Sequence, residues 1–188
     1  MKLISLLMLI SLLGNTVFSQ GHAAEFGLKA GVNFANFKLG EGEGKNKTGF
    51  HLGGLAHIHL SKKFALQPEL VFSTQGSEYT DTRSDKFNYL NVPVILQYMF
   101  NYGFRIQTGP QFGFLASAKA KNGDVETDID EDFKTLDVSW SFGGGYLSRS
   151  GLGVDARYNL GLTDISEGNP DIKNRVWQVG LFYQFKRK

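Results

Sequence analysis

From Phe26 onward the chain alternates apolar and polar side chains with a period of two, in eight separate stretches. Successive side chains of a β-strand point to opposite faces, so each stretch encodes a strand with one oily face and one polar face. Phe26, Leu28, Ala30, Val32 and Phe34 oppose Gly27, Lys29, Gly31 and Asn33. Phe50, Leu52, Ala56, Ile58 and Leu60 oppose His51, Gly53, His57 and His59. Phe64, Leu66, Leu70 and Phe72 oppose Gln67, Glu69, Ser73 and Gln75. The fourth stretch, Leu90 to Phe100, is less regular, because Ile95 and Met99 fall on the side of Asn91 and Gln97.

The second half repeats the pattern. Phe104, Ile106, Phe112 and Phe114 oppose Arg105, Gln107, Gln111 and Ser117. Leu136, Val138, Trp140, Phe142 and Tyr146 oppose Asp137, Ser139, Ser141 and Gly143. Leu152 to Leu162 sets its apolar residues against Asp155, Arg157, Asn159 and Thr163, and Trp177 to Phe185 sets its own against Gln178, Gly180 and Gln184. No stretch after the N-terminal segment sustains a 3.6-residue period.

The connections alternate in length. Ser61–Lys63, Asn101–Tyr102 and Ser148–Gly151 are short, whereas Lys38–Thr48, Thr80–Lys86, Lys119–Asp132 and Ile165–Ile172 are longer. Outer-membrane barrels have this asymmetry, with tight periplasmic turns and long extracellular loops. The pattern therefore predicts an all-β fold, an eight-stranded antiparallel up-and-down transmembrane β-barrel with its oily face toward lipid. Two further features favour that inversion over a soluble barrel. Isolated charges (Lys29, Glu69, Arg105, Asp155 and Arg157) sit in mid-strand on the polar face. Aromatics stand near both strand ends on the other: Phe26, Phe34, Phe64, Phe100, Phe104, Trp140, Tyr146, Tyr158, Trp177, Tyr183 and Phe185. Girdles of that kind mark the two membrane interfaces. Eight strands enclose a lumen just wide enough for side chains. The five inward charges are accordingly expected to pair as a structural network, Glu69 and Asp155 offsetting Lys29, Arg105 and Arg157, because an unpaired buried charge is costly.

Residues 1–19 read as a secretory leader. Lys2 is followed by the apolar run Leu3–Leu13, too short to span a bilayer, and then by small residues, so cleavage is expected after Ser19 and at the latest near Ala24. Residues 20–188 form the barrel domain on this reading. The net charge of +2 gives no basis for a nucleic-acid partner. With no cysteine, disulfides, thiolate chemistry and Cys-based zinc sites are excluded.

The segments Gly27–Phe34, Leu66-Gln67-Pro68-Glu69-Leu70, Leu90-Asn91-Val92-Pro93-Val94, Gly109-Pro110-Gln111-Phe112-Gly113, Asp155–Leu162 and the terminal Tyr183-Gln184-Phe185 stand in an order and spacing that resemble the Bacteroidetes outer-membrane β-barrel family. That family includes PorT-like proteins and belongs with small barrels of the OmpA and OmpX kind. The resemblance implies an outer-membrane location in a Gram-negative bacterium and a C-terminal aromatic assembly signal. PorT is associated with type IX secretion, a role that membership alone does not transfer. Pro68, Pro93 and Pro110 lie within strands, where proline forfeits a ladder hydrogen bond, so bulges or strand ends are expected there, and a parity shift at Pro93 would account for Ile95 and Met99.

No catalytic, cofactor or metal site is expected. His57 and His59 share a face but lack further ligands nearby in sequence. His51 near a strand end, with Asp81, Ser84 and Asp85 in an outer loop, is the one cluster that a membrane lipid- or peptide-modifying enzyme would use, and no motif links them. The carboxylates Asp124, Glu126, Asp128, Asp130, Glu131 and Asp132 lack the spacing of an EF-hand loop. The expected function is a non-enzymatic barrel with a structural, adhesion or envelope-interaction role. Its expected partners are outer-membrane lipid, lipopolysaccharide and an envelope protein that the sequence does not name. A membrane enzyme and a soluble lipocalin-like carrier are the competing readings.

Overall fold

The computed structural model describes residues 24–39, 42–43, 45–80, 83–123, 125–168 and 172–185. The expected leader and its cleavage site lie outside the described residues. Eight long strands form the wall: β1 (Glu25–Leu39), β3 (Lys45–His59), β4 (Phe64–Thr80), β5 (Arg83–Met99), β6 (Phe104–Asn122), β8 (Leu136–Leu147), β9 (Leu152–Gly161) and β10 (Ile172–Gln184). Two short strands, β2 (Gly42–Glu43) and β7 (Val125–Asp128), pair back onto β1 and β6. Each wall strand pairs antiparallel with its predecessor, and β10 closes the sheet on β1 from Gly27–Gln184 to Leu39–Ile172. The fold is thus the closed antiparallel barrel that the alternation predicts.

The faces are those of the inverted arrangement. Leu28, Leu52, Leu70, Ile106 and Leu181 are more than half exposed on the outside, while Lys29, Glu69, Gln97, Arg157 and Gln178 are buried within. The outer wall is therefore oily and the inside polar, as a lipid solvent requires. This rules out the lipocalin-like alternative, in which the oily face would line a cavity. Aromatics collect at the short-turn end, where Phe64, Tyr98 and Phe100 form consecutive edge contacts and Phe104 meets Tyr146. A second set, with Phe50 against Phe72 and Tyr158 against Trp177, lies further along the strands. Phe26 and Phe34, Phe64 and Phe72, and Phe104 and Phe112 are each eight residues apart on one strand. At about 3.3 Å per residue and a tilt near 40°, that spacing rises about 20 Å, close to the height of an outer-membrane apolar band.

The strands run further than the oily pattern does. β4, β5 and β6 have 17, 17 and 19 residues. A length of 17 residues spans about 56 Å, or about 43 Å along the normal at that tilt, so these strands project past the apolar band of about 25 Å. What reads in sequence as the loop Thr80–Lys86 is a hairpin in which Thr80 already pairs with Arg83. The segment Lys38–Thr48 is mostly strand as well, and Lys119–Asp132 is the end of β6, the β7 ribbon and a 3-10 turn at Asp130–Asp132. The long–short asymmetry holds, but much of the length is paired backbone.

The prolines do not bulge. Register is the same on both sides of Pro68, Pro93 and Pro110, so parity does not change at Pro93, and Ile95 simply faces inward and is buried. The irregularities lie in the outer arms instead, between Asn46 and His51, between Glu78 and Thr80, and opposite Asn88/Tyr89. At the last of these, Tyr89 pairs with Leu115 and Asn88 with Ser117, leaving Ala116 as the extra residue. This corrects the face of Ser117. It points outward and accepts a hydrogen bond from Asn88 Nδ2 (2.8 Å), while Ala118 becomes fully buried.

Candidate functional site

The interior of the barrel is the candidate site, and it is filled at two levels. The first holds four of the five charges singled out above. Lys29 comes from β1, Glu69 from β4, and Asp155 and Arg157 from β9, so the group reaches across the lumen between strands that are not neighbours. Arg157 grips Glu69 with both terminal nitrogens, Nη1 to Oε2 at 2.9 Å and Nη2 to Oε1 at 2.5 Å. Lys29 Nζ lies 3.0 Å from Asp155 Oδ2 and 3.3 Å from Glu69 Oε2, and Arg157 Nη2 lies 3.2 Å from Asp155 Oδ2. Two cations and two anions thus form a closed, charge-neutral set in which every member has an opposite partner.

Neighbouring glycines make room for these side chains. On the inner face Asp155 stands beside Gly145 and Gly180, Arg157 beside Gly143, and Lys29 beside Gly53. A Cβ added at Gly143 would come within 2.9 Å of Arg157 Cγ, and one at Gly145 within 3.2 Å of Asp155 Cβ. Gly143 and Gly145, the two inward-facing members of the run Gly143-Gly144-Gly145, are therefore part of the site's construction.

Arg105 departs from expectation. It makes no ion pair with Glu69 or Asp155. Its Nη1 donates to Gln97 Oε1 (3.2 Å), and its guanidinium lies 5.5 Å from the centre of the Phe182 ring. Which residues meet across a barrel depends on the stagger with which it closes, and β6 carries Arg105 close to the short-turn end, away from the quartet. Amide side chains link it back. Gln97 donates to Gln107 Oε1 (3.2 Å), which also accepts from Arg157 Nη2 (3.2 Å), and Gln67 donates to Glu69 Oε1 (2.7 Å).

Further outward the network continues through an imidazole, amides and a hydroxyl to the Asp137 carboxyl. His51 Nδ1 meets Asn33 Oδ1 (2.7 Å), Asn33 donates to Ser73 Oγ (2.9 Å), and Gln75 donates to Ser73 Oγ (2.9 Å). Asn174 bridges Gln75 and Asp137. His51 is therefore a buried lumen residue and not a rim residue, and its ring is held by Asn33. Ser84 instead accepts from Lys47 Nζ (2.9 Å) on the outer arms, and Asp81 lies outside the described residues. His57 and His59 contact each other edge-on, with His57 Nδ1 at 3.3 Å from Gln67 Oε1. Among the described residues no group of three or more His, Asp or Glu side chains is placed to hold a metal ion.

The second level lies at the outer end and is apolar. Phe37 of β1 meets Phe87 of β5 edge-on at 4.8 Å, and Phe87 meets Phe133 at 4.7 Å. Tyr89, Ala118 and Ile165 complete the buried cluster, and Leu115, Ile129, Phe133 and Ile172 pack against it. The connections fold inward to build this cap. Lys134 N donates to Ile165 O, and Phe133 bridges Ser166. At the surface Lys134 Nζ bonds Asp164 Oδ2 (2.8 Å), and with the Ile172 amide it holds the Asp164 carboxyl down at about 2. The acidic stretch is part of the same construction, since Asp130 Oδ1 accepts from the Ala118 amide and Lys119 lies within 4 Å of Glu126 and Asp128. Sequence reasoning did not single out the cap. Phe37, Phe87 and Tyr89 nevertheless stand on the inward parity of their strands, which is the signal that marks them.

Residues 18–167 match the family model for the outer membrane protein beta-barrel domain. Among curated proteins no sequence matches. Among solved structures the barrel is similar to neisserial surface protein A (TM-score 0.64, 13% identity, covering 87% of this chain and 99% of that one). It is also similar to Ail, the attachment invasion locus protein of Yersinia pestis (TM-score 0.53, 18% identity, covering 86% and 99%). An oily outer wall, a polar interior and a family match over most of the length agree, and the chain belongs to the outer membrane protein beta-barrel family, a protein of the Gram-negative outer membrane.

Proposed function

We propose that this protein is a closed, non-enzymatic barrel that anchors in the outer membrane and uses its projecting hairpins for structural, adhesive or envelope contacts. The observation that carries the reading is the lumen, filled by a neutral charge cluster at one level and an apolar cap at another, beneath arms that rise beyond the membrane. A lumen filled by side chains has no room for substrate, and among the described residues the His51 ring is hydrogen-bonded to the Asn33 amide and not to a carboxylate that would activate it as a base. The likeness to Ail, an attachment protein by name, supports the adhesive part of the reading. The partners of such a barrel are outer-membrane lipid, lipopolysaccharide and an envelope protein. The segments Leu66–Leu70 and Leu90–Val94 support the finer affiliation with Bacteroidetes PorT-like barrels.

Purified barrel in planar bilayers should give no steady conductance. Cells carrying a form with the β4–β5 hairpin shortened should keep the barrel in the membrane and lose surface attachment. Steady openings, or attachment unaffected by the shortening, count against the proposal.

A further inference from the structure

The outer wall carries a polar cleft where an oily surface is expected. It measures about 220 Å3 and is lined by Phe34, Asn36, Asn46, Tyr158, Arg175 and Trp177. Phe34 and Trp177 are register partners, Trp177 pairs with Tyr158, and their two rings lie 4.9 Å apart. These three belong to the outer aromatic set. One step outward on the same face, Asn36 pairs with Arg175. Lys173 follows on that face and is exposed.

The position of Arg175 is distinctive. Two residues outward from an outer-girdle side chain stand Thr74 on β4, Asn88 on β5, Phe114 on β6, Val138 on β8 and Leu160 on β9, all uncharged. Only β10, among these strands, places a cation there. At that depth acyl chains give way to headgroups, and a guanidinium presents a planar fork that matches a phosphate. The carboxamides of Asn36 and Asn46 offer donors and acceptors for hydroxyls, and the faces of Tyr158 and Trp177 offer a stacking surface for a sugar ring.

We propose that this cleft binds the phosphorylated sugar headgroup of an outer-leaflet glycolipid, with Arg175 on the phosphate. The site depends on the outer-membrane orientation and not on the closed lumen, so a conducting barrel would leave it standing.

The chain has two tryptophans, so Trp140→Phe leaves Trp177 as the only one, directly in the cleft. The folded protein in neutral-detergent micelles is titrated with a diphosphoryl disaccharide glycolipid, with the same lipid after phosphate removal, and with soluble glucosamine phosphate. Trp177 emission should change saturably with the first and not with the second. Arg175→Gln should weaken binding about tenfold, and Arg175→Lys, which keeps a point charge, by less than about threefold. Lys63→Gln, at the opposite girdle, should change it by less than about twofold. Heat-modifiable gel mobility checks that every variant is folded. Unchanged affinity in Arg175→Gln, an equal loss in Lys63→Gln, or equal binding of the dephosphorylated lipid overturns the proposal. Saturation by glucosamine phosphate at the same concentration overturns the assignment to a lipid.

Discussion

Lys29 and Phe37 stand eight residues apart on β1, about 26 Å along the strand, and face the same lumen. Around Lys29 the lumen is filled by charge, with contributions from wall strands alone. Around Phe37 it is filled by aromatic and aliphatic side chains, some carried by the connections that fold over the mouth. The difference follows from surroundings. At mid-barrel the wall is backed by lipid, the dielectric is low, and a charge is tolerable only with its opposite in place. At the outer end the strands stand in water, and burying oily side chains is favourable there as in any soluble core. The inner level is specified by pairing, so a slip of register unpairs it. The outer level is specified by shape and depends on its loops.

Four substitutions press on that distinction. The largest effect is expected from Glu69→Leu, which strips Arg157 of its bidentate partner and Lys29 of one of two carboxylates. The loss should be about 3–5 kcal/mol in reversible urea unfolding, the cost of leaving a buried charge uncompensated. Arg105→Leu should lose about 1 kcal/mol, since it breaks a hydrogen bond to Gln97 and a ring contact but no ion pair. Equal losses would show that the lumen behaves as one undivided network.

Phe87→Ala stands between these two, at about 3 kcal/mol for a large buried ring. Its signature is local. Amide exchange at Phe133 and Ile165 should accelerate while amides flanking Lys29 and Arg157 keep their protection. A matching acceleration at both levels would erase the two-level picture.

The eight alternating stretches were sufficient to assign the faces and the closure of the barrel, and the inward side of Lys29, Glu69, Asp155 and Arg157. They did not locate the strand ends. In Lys45–Thr48, Arg83–Lys86 and Lys119–Asn122 the outward face meets water in place of lipid, so the oily signal stops while backbone pairing continues. The proline bulges failed as an expectation because a proline whose neighbours keep register needs no extra residue. Arg105 was given the right face and the wrong partners, because face is a property of one strand, whereas contact across the lumen is a property of how all of them close.

The smallest effect concerns the outermost tie of the cap. Asp164 is held below its ordinary value by Lys134 and the Ile172 amide, so its contribution is complete above about pH 4 and is lost as pH falls toward 2. Lys134→Ala should cost about 0.5 kcal/mol, as a largely solvated pair. That is seen as roughly twofold faster exchange of the Ile172 amide at neutral pH, with the difference fading in acid. A difference undiminished at pH 2, where about half of the carboxyl is already protonated, would assign the tie to something other than the carboxylate.

The glycines opposite the buried charges carry a consequence for how such a chain can change over generations. Arg157 and Gly143, or Asp155 and Gly145, occupy one shared volume divided unequally across two strands. A Cβ at either glycine meets a backbone carbonyl first, Ala156 O at 2.3 Å or Val154 O at 2.7 Å, and the large side chain second, so enlarging the small partner presses on the strand as well as on its neighbour. The small half of each pair is therefore closed to change even when the large half is replaced, because the carbonyl that blocks it belongs to the backbone.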